Sequence, residues 1–124
     1  MRILIDTSSI LFALSNMKNV FQIISDRFPK QEMVISKGVV NELERLAKEK
    51  GNRAKLARTA LMEIGSTALK IEENELNVDR WIENAAKDAG GRECVVCTND
   101  INLKKKVRMH GIKVFSATRS GTLR

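Results

Sequence analysis

Five short apolar runs, Ile3 to Ile5, Met33 to Ile35, Ala68 to Ile71, Cys94 to Cys97 and Ile112 to Phe115, recur along the chain with longer helical patterns between them. Each is too short for a helix and is bounded by polar residues or glycine, the mark of a buried strand. Strands that alternate with helices cannot be joined by hairpins, so they pair in parallel through crossover connections. The intervening segments, Ser9 to Leu14, Val20 to Arg27, Val39 to Lys50, Ala54 to Ile64, Val78 to Ala89 and Leu103 to His110, mostly repeat apolar residues three and four apart. Pro29, Gly51-Asn52, Gly90-Gly91 and Gly111 fall between elements, where breakers belong. The expectation is an α/β fold, a three-layer α/β/α sandwich around a central parallel sheet of about five strands.

The 124 residues suit one domain, and no repeat or low-complexity linker divides them; residues 116–124 read as a flexible basic tail. Cys94 and Cys97 form a C-x-x-C string, but on a strand they face opposite sides. With no further cysteine and a single His110, a zinc ribbon lacks ligands, so core packing is the expectation. The opening Met1-Arg2-Ile3-Leu4-Ile5 is too short an apolar run for a signal peptide, and no stretch reaches membrane-spanning length. A cytosolic protein without a membrane partner is expected.

Charge is unevenly distributed. Residues 1–100 carry fifteen basic and fifteen acidic residues, whereas 101–124 carry seven basic residues and no acid, so the whole net charge of +7 lies at the end. Basic residues Lys104, Lys105, Lys106 and Arg108 suggest a polyanionic partner, with a solvated helix face as the plain alternative.

Four acids lie where a strand has just ended or a helix is beginning. Asp6 closes Ile3-Leu4-Ile5 and precedes Thr7-Ser8-Ser9; Asp100 closes Cys97-Thr98-Asn99-Asp100. Ligands of open parallel sheets bind beyond the carboxyl ends of the strands, which is where both acids fall. Glu42 borders the stripe of Val39, Leu43, Leu46 and Ala47, and Asp79 borders that of Val78, Ile82, Ala85 and Ala89. Each has an ordinary alternative: Asp6 and Asp100 as helix caps, Glu42 and Asp79 as first-turn partners of a helix dipole. Ser8, Thr98 and Asn99 could support a phosphate or a water on an ion.

Taken together, four independent accidents would be needed to leave these carboxylates at one end of one sheet. Two carboxylates about 4 Å apart repel by roughly 4 kcal/mol at an effective dielectric of about 20. A converged cluster therefore calls for protonation or a hard cation, and Mg²⁺ or Mn²⁺ suits oxygen donors.

The strings Leu4-Ile5-Asp6-Thr7-Ser8, Val40-Asn41-Glu42-Leu43, Val78-Asp79-Arg80-Trp81-Ile82 and Thr98-Asn99-Asp100-Ile101-Asn102-Leu103, followed by Lys104 to Val114, resemble the motifs of the PIN-domain ribonuclease family in order and spacing. The resemblance runs almost the full length. It implies a PIN-like fold and Asp6, Glu42, Asp79 and Asp100 as an acidic quartet, with Thr98 assisting. Many relatives carry two adjacent acids where this chain has Asp79-Arg80, and Arg80 would place positive charge beside the site.

The activity so implied is metal-dependent endonucleolytic hydrolysis of single-stranded RNA, leaving a 5′-phosphate and a 3′-hydroxyl. Asp6, Asp79 and Asp100 would hold Mg²⁺ or Mn²⁺, Glu42 would contribute to the ion or the water, and the basic residues after Ile101 would hold the RNA backbone. The family includes ribosomal-RNA-processing enzymes and the toxins of toxin-antitoxin pairs, so a ribosome-assembly protein, an antitoxin or a second copy of the chain are the expected protein partners. The lysine-rich ending leans toward processing. Rival readings are a non-catalytic RNA-binding scaffold that keeps the fold, and a signalling receiver domain, which shares a parallel sheet and an acidic pocket. With aromatics at 4% and no tyrosine, extensive base stacking is not expected.

Overall fold

Every apolar run becomes a strand of one sheet in the computed structural model, which describes residues 1–73, 77–89 and 93–124. Among these residues the order is β1 (Arg2–Ile5), α1 (Thr7–Ser15), α2 (Val20–Arg27), β2 (Glu32–Ser36), α3 (Lys37–Ala47), α4 (Asn52–Gly65), β3 (Lys70–Glu72), α5 (Val78–Ala89), β4 (Cys94–Cys97), α6 (Ile101–Arg108) and β5 (Lys113–Phe115). The sheet runs β3-β2-β1-β4-β5 with every pairing parallel. Strand order thus departs in opposite directions on the two sides of β1. A receiver domain has the order 2-1-3-4-5 instead.

Right-handed crossovers then assign the layers. The chain moves one way from β1 through β2 to β3, which puts α1 to α4 on one face, and returns through β4 to β5, which puts α5 and α6 on the other. Contacts agree: α1 meets α2, α3 and α4, whereas α5 meets α6 and β4. The expected three-layer α/β/α sandwich is the fold observed.

Burial follows from position in the sheet. Every residue of β4 and all but the first of β1 are buried, as the middle of a sheet covered on both faces requires. The edge strands β3 and β5 are short, and each begins with an exposed lysine, Lys70 or Lys113, which discourages pairing with another chain. Ile3, Leu4, Ile5, Ile10, Phe21, Ile35, Leu43 and Ile82 form the heart of the core. Cys94 and Cys97 are buried, unbonded core residues. The buried thiol of Cys97 is pushed up to about 11, first by desolvation, so it stays protonated at neutral pH.

Side-chain caps explain two helix starts that depart from the periodicity. Ser36 accepts a hydrogen bond from the Val39 N–H, so α3 starts at Lys37 instead of Val39. Asp100 accepts from Asn102 and Leu103, so α6 starts at Ile101 instead of Leu103. Gly51, at φ 97°, makes the left-handed turn into α4, and Gly111, at φ 76°, the turn into β5. The Gly90-Gly91 breaker lies outside the described residues. Third in sequence, β3 starts two residues later than the apolar run and ends one later, because only Lys70–Glu72 lie alongside Val34–Ser36 of β2.

Residues 116–124, expected as a flexible tail, fold back on themselves. Ser116 and Arg124 exchange backbone hydrogen bonds at 3.1 and 2.9 Å, and Ala117 bridges Leu123. No helix among the described residues is long and apolar enough to cross a membrane.

Leu43 is fully buried where α3 packs on the sheet. Leu43→Ala should lower unfolding free energy by about 2–5 kcal/mol. Urea denaturation checks this, and a loss below about 1 kcal/mol would place Leu43 outside the cooperative core.

Candidate active site

The register of the central strands builds the site. Ile5 of β1 pairs with Cys97 of β4, so Asp6 and Thr98 emerge side by side where the strand order reverses. The Asp6 N–H donates to Cys97 O at 2.9 Å, and the Thr98 N–H donates to Phe115 O of β5 at the same distance. Both residues are buried, Asp6 at 5% exposure and Thr98 at 0%.

Asp6 occupies the N-cap position of α1, yet its side chain makes no capping bond. Its Oδ2 instead accepts from Thr98 Oγ1 at 2.8 Å and Ser8 Oγ at 2.5 Å. Ser8 Oγ in turn accepts the Asn99 N–H at 3.0 Å, and Thr98 Oγ1 the Asp100 N–H at 3.1 Å. Two hydroxyls therefore orient one buried carboxylate and tie the β1 and β4 loops together.

Asn99 locks this loop from behind. Its Oδ1 accepts from Ser9 Oγ at 2.7 Å and from the Ala117 N–H at 3.0 Å, while Nδ2 donates to Ala117 O at 2.9 Å. Asn99 is thus a bracket between α1 and the C-terminal turn. Ser9, which is fully buried, completes the bracket. The sequence reading missed Ser9, although a serine next to an apolar helical stripe is the available signal.

The other acids converge on the same place. Asp6, Glu42, Asp79 and Asp100 line one cleft of about 220 Å³, together with Thr7, Ser8, Leu11, Arg53 and Val78. Glu42 accepts a 3.3 Å hydrogen bond from Thr7 at Oε2. Its pKa is raised, first by desolvation and then by the Asp6 charge, against lowering influences from Thr7, Arg45 and Arg53. Asp79 remains exposed, yet its pKa is also raised, by partial desolvation and by the charges of Asp6 and Asp100. Asp100 does cap α6 through Oδ1, as the ordinary reading of that residue anticipated, and it lines the cleft as well.

The basic run is divided by the helix it sits on. Leu103 and Val107 are buried, which turns Lys104 and Lys106 to opposite flanks of α6. Lys104 Nζ donates to Ser116 Oγ at 2.8 Å, and Ser116 Oγ donates to Thr98 O at 2.7 Å, so Lys104 supports the loop from the β5 side. Lys106 lies on the acidic side, where its charge lowers the pKa of Asp79. Lys105 and Arg108 are exposed. Arg80, the positive charge that follows Asp79 in sequence, caps its N–H onto Asn77 Oδ1 at 2.8 Å. Trp81 is a core residue whose Nε1–H donates to Glu72 at 3.1 Å. Arg53, also overlooked in the sequence, reaches the cleft because α4 packs on α1.

The donors are carboxylates and hydroxyls without thiol or imidazole, which fits a hard divalent cation. They do not form a closed cage: among the described residues no three His, Cys, Asp or Glu side chains are grouped tightly enough to hold a metal ion between them. Asp6 Oδ2 is turned to Ser8 and Thr98, and Asp100 Oδ1 to its own helix. The arrangement suits an ion that keeps several waters and takes only one or two protein carboxylates, the habit of Mg²⁺.

This chain belongs to the PIN-like domain family, whose model matches residues 3–119. Among solved structures it is similar to the PIN domain endonuclease Utp24, with 26% identity, a TM-score of 0.78, and coverage of 99% of this chain and 90% of that one. A domain of a functionally unknown protein from Methanocaldococcus jannaschii has the same fold at 16% identity and TM-score 0.68, covering 94% of this chain and 91% of that one. VapBC-1 from nontypeable Haemophilus influenzae shares it at 17% identity and TM-score 0.52, covering 92% and 96%. No curated protein matches the sequence.

A raised carboxyl pKa means that the folded protein holds its proton more firmly than the unfolded chain. Glu42 therefore stabilises the fold below its ordinary value of 4.5 and loses that advantage as pH rises through the raised value. Glu42→Gln should melt above the parent at neutral pH, with the difference closing below pH 4.5. Thermal melts across this range test it; a variant less stable than the parent at neutral pH would show that ionised Glu42 supports the fold.

Proposed function

We propose that this protein is a Mg²⁺- or Mn²⁺-dependent endoribonuclease that hydrolyses single-stranded RNA in RNA processing. The observation that carries this reading is the convergence of Asp6, Glu42, Asp79 and Asp100 on one cleft, where desolvation first and neighbouring acids second raise the pKa of Glu42 and Asp79. Membership of the PIN-like family supports the reaction class. The likeness to the PIN domain endonuclease Utp24 supports endonucleolytic cleavage, whereas VapBC-1 shares only the fold.

When bound, a divalent cation supplies charge neutralisation at the phosphate and lowers the pKa of water. Of Asp6, Asp79 and Asp100, one or two would ligate it directly and the rest through its waters, with Oδ2 of Asp100 free of its capping bond. Ser8 and Thr98 are positioning residues: their hydroxyls fix Asp6. Glu42 has the raised pKa that suits proton transfer, and it accepts the proton of the attacking water at Oε1, the oxygen not bonded to Thr7. Lys105, Lys106 and Arg108 on α6 steer and hold the RNA backbone, while Lys104 remains committed to Ser116. The products carry a 5′-phosphate and a 3′-hydroxyl.

Cleavage of end-labelled single-stranded RNA with and without Mn²⁺ tests the proposal. Asp6→Asn should abolish Mn²⁺-dependent cleavage, and Thr98→Ala should slow it about 10–100-fold, whereas Thr98→Ser should keep most of it. A parent protein that cuts no RNA with Mn²⁺ would leave the scaffold reading in its place.

A further inference from the structure

The acidic cleft opens onto a second depression of about 320 Å³ at α1 and α4, and the two share Ser8, Leu11 and Arg53. Phe12, Ser15 and Leu56 form the remainder of its wall. No acid lines this groove. The lining thus changes from carboxylate to largely apolar across one border, and an exposed arginine stands on that border. Arg53 is the only cation among the described residues lining either space, and its charge reaches Glu42.

Phe12 differs from the other aromatic side chains. Phe21 and Trp81 are buried, and Phe28 and Phe115 pack on each other with Arg27 over both rings. Phe12 is half-buried at the edge of the core and lies within a groove continuous with the acids. A single aromatic ring beside an apolar wall suits one unpaired base, and the volume falls in the range of small-ligand sites, about 300–1,000 Å³. A base stacked within a duplex would not enter it.

We propose that this groove is the subsite for a nucleotide next to the scissile phosphate of single-stranded RNA. The base lies against Phe12 and Leu56, and Arg53 grips the phosphate that leads from the groove into the cleft, as its forked donors suit. The proposal rests on the acidic cleft being the place of hydrolysis.

The test uses the full chain carrying Asp100→Asn, which should bind without cutting and keeps an N-cap residue on α6. A short single-stranded RNA is titrated with one base at a time replaced by an abasic sugar. One position should weaken binding about 5- to 150-fold, the range of a base stacked on an aromatic side chain. Phe12→Leu, which keeps an apolar side chain in the core, should weaken the intact RNA by a similar factor and make that position silent. Arg53→Gln should reduce the slope of log Kd against log salt by about 0.7, the share of one phosphate contact on a single strand. Absence of RNA binding, or an unchanged abasic profile in Phe12→Leu, overturns the subsite. Cleavage by the Asp100 protein without Phe12 coupling overturns the subsite alone, whereas coupling without cleavage supports the groove as an RNA site and overturns the hydrolytic reading.

Discussion

A buried carboxylate at the end of the central strand is the constraint around which the rest of the site is arranged. Asp6 cannot be left without partners in a place only 5% exposed, because an isolated buried charge is expensive. The chain answers with two hydroxyls, Ser8 from α1 and Thr98 from the loop after β4, both donating to one oxygen. Those hydroxyls also accept backbone N–H groups of Asn99 and Asp100, so the same atoms that satisfy Asp6 set the path of the loop that carries Asp100. Topology makes this possible, since β1 and β4 are neighbours only where strand order reverses.

From that anchor the site is assembled by elements distant in sequence. Asn99 binds Ser9 and Ala117, so the C-terminal turn stabilises the loop from outside, and Lys104 adds a second tie through Ser116. Glu42 arrives on α3 and Asp79 on α5, from opposite layers of the sandwich. Their raised pKa values reflect partial desolvation and the acids already present, so the fold gathers negative charge that does not stabilise it. Such a cost is typical of a site kept for binding or chemistry.

Much of this was legible in the residues. Short continuous apolar runs placed the strands, because a parallel sheet buries its middle strands almost continuously, and period-3.6 patterning placed the helices. Two of the misplaced limits are those where a polar side chain acts on the backbone: Ser36 and Asp100 lengthen helices that apolar periodicity alone starts later. The four acids could be singled out by position and motif, and the fold brings them to one cleft. Their hydrogen-bond roles could not be read. A local sequence pattern does not distinguish Asp6, which does not cap α1, from Asp100, which caps α6. Arg53 and the adjoining groove were invisible because they exist only once α4 has packed on α1. Lys106, from another helix, is a cation acting on Asp79 that no sequence neighbourhood reveals.

The central claim is that Asp6 organises these carboxylates into one divalent-cation site. Calorimetric titration of Mn²⁺ into the parent and into Asp6→Asn, at neutral pH and without RNA, tests it most directly. The account predicts saturable binding by the parent that is lost in the variant while the variant stays folded by circular dichroism. Equal binding by both proteins, or none by the parent, would contradict it.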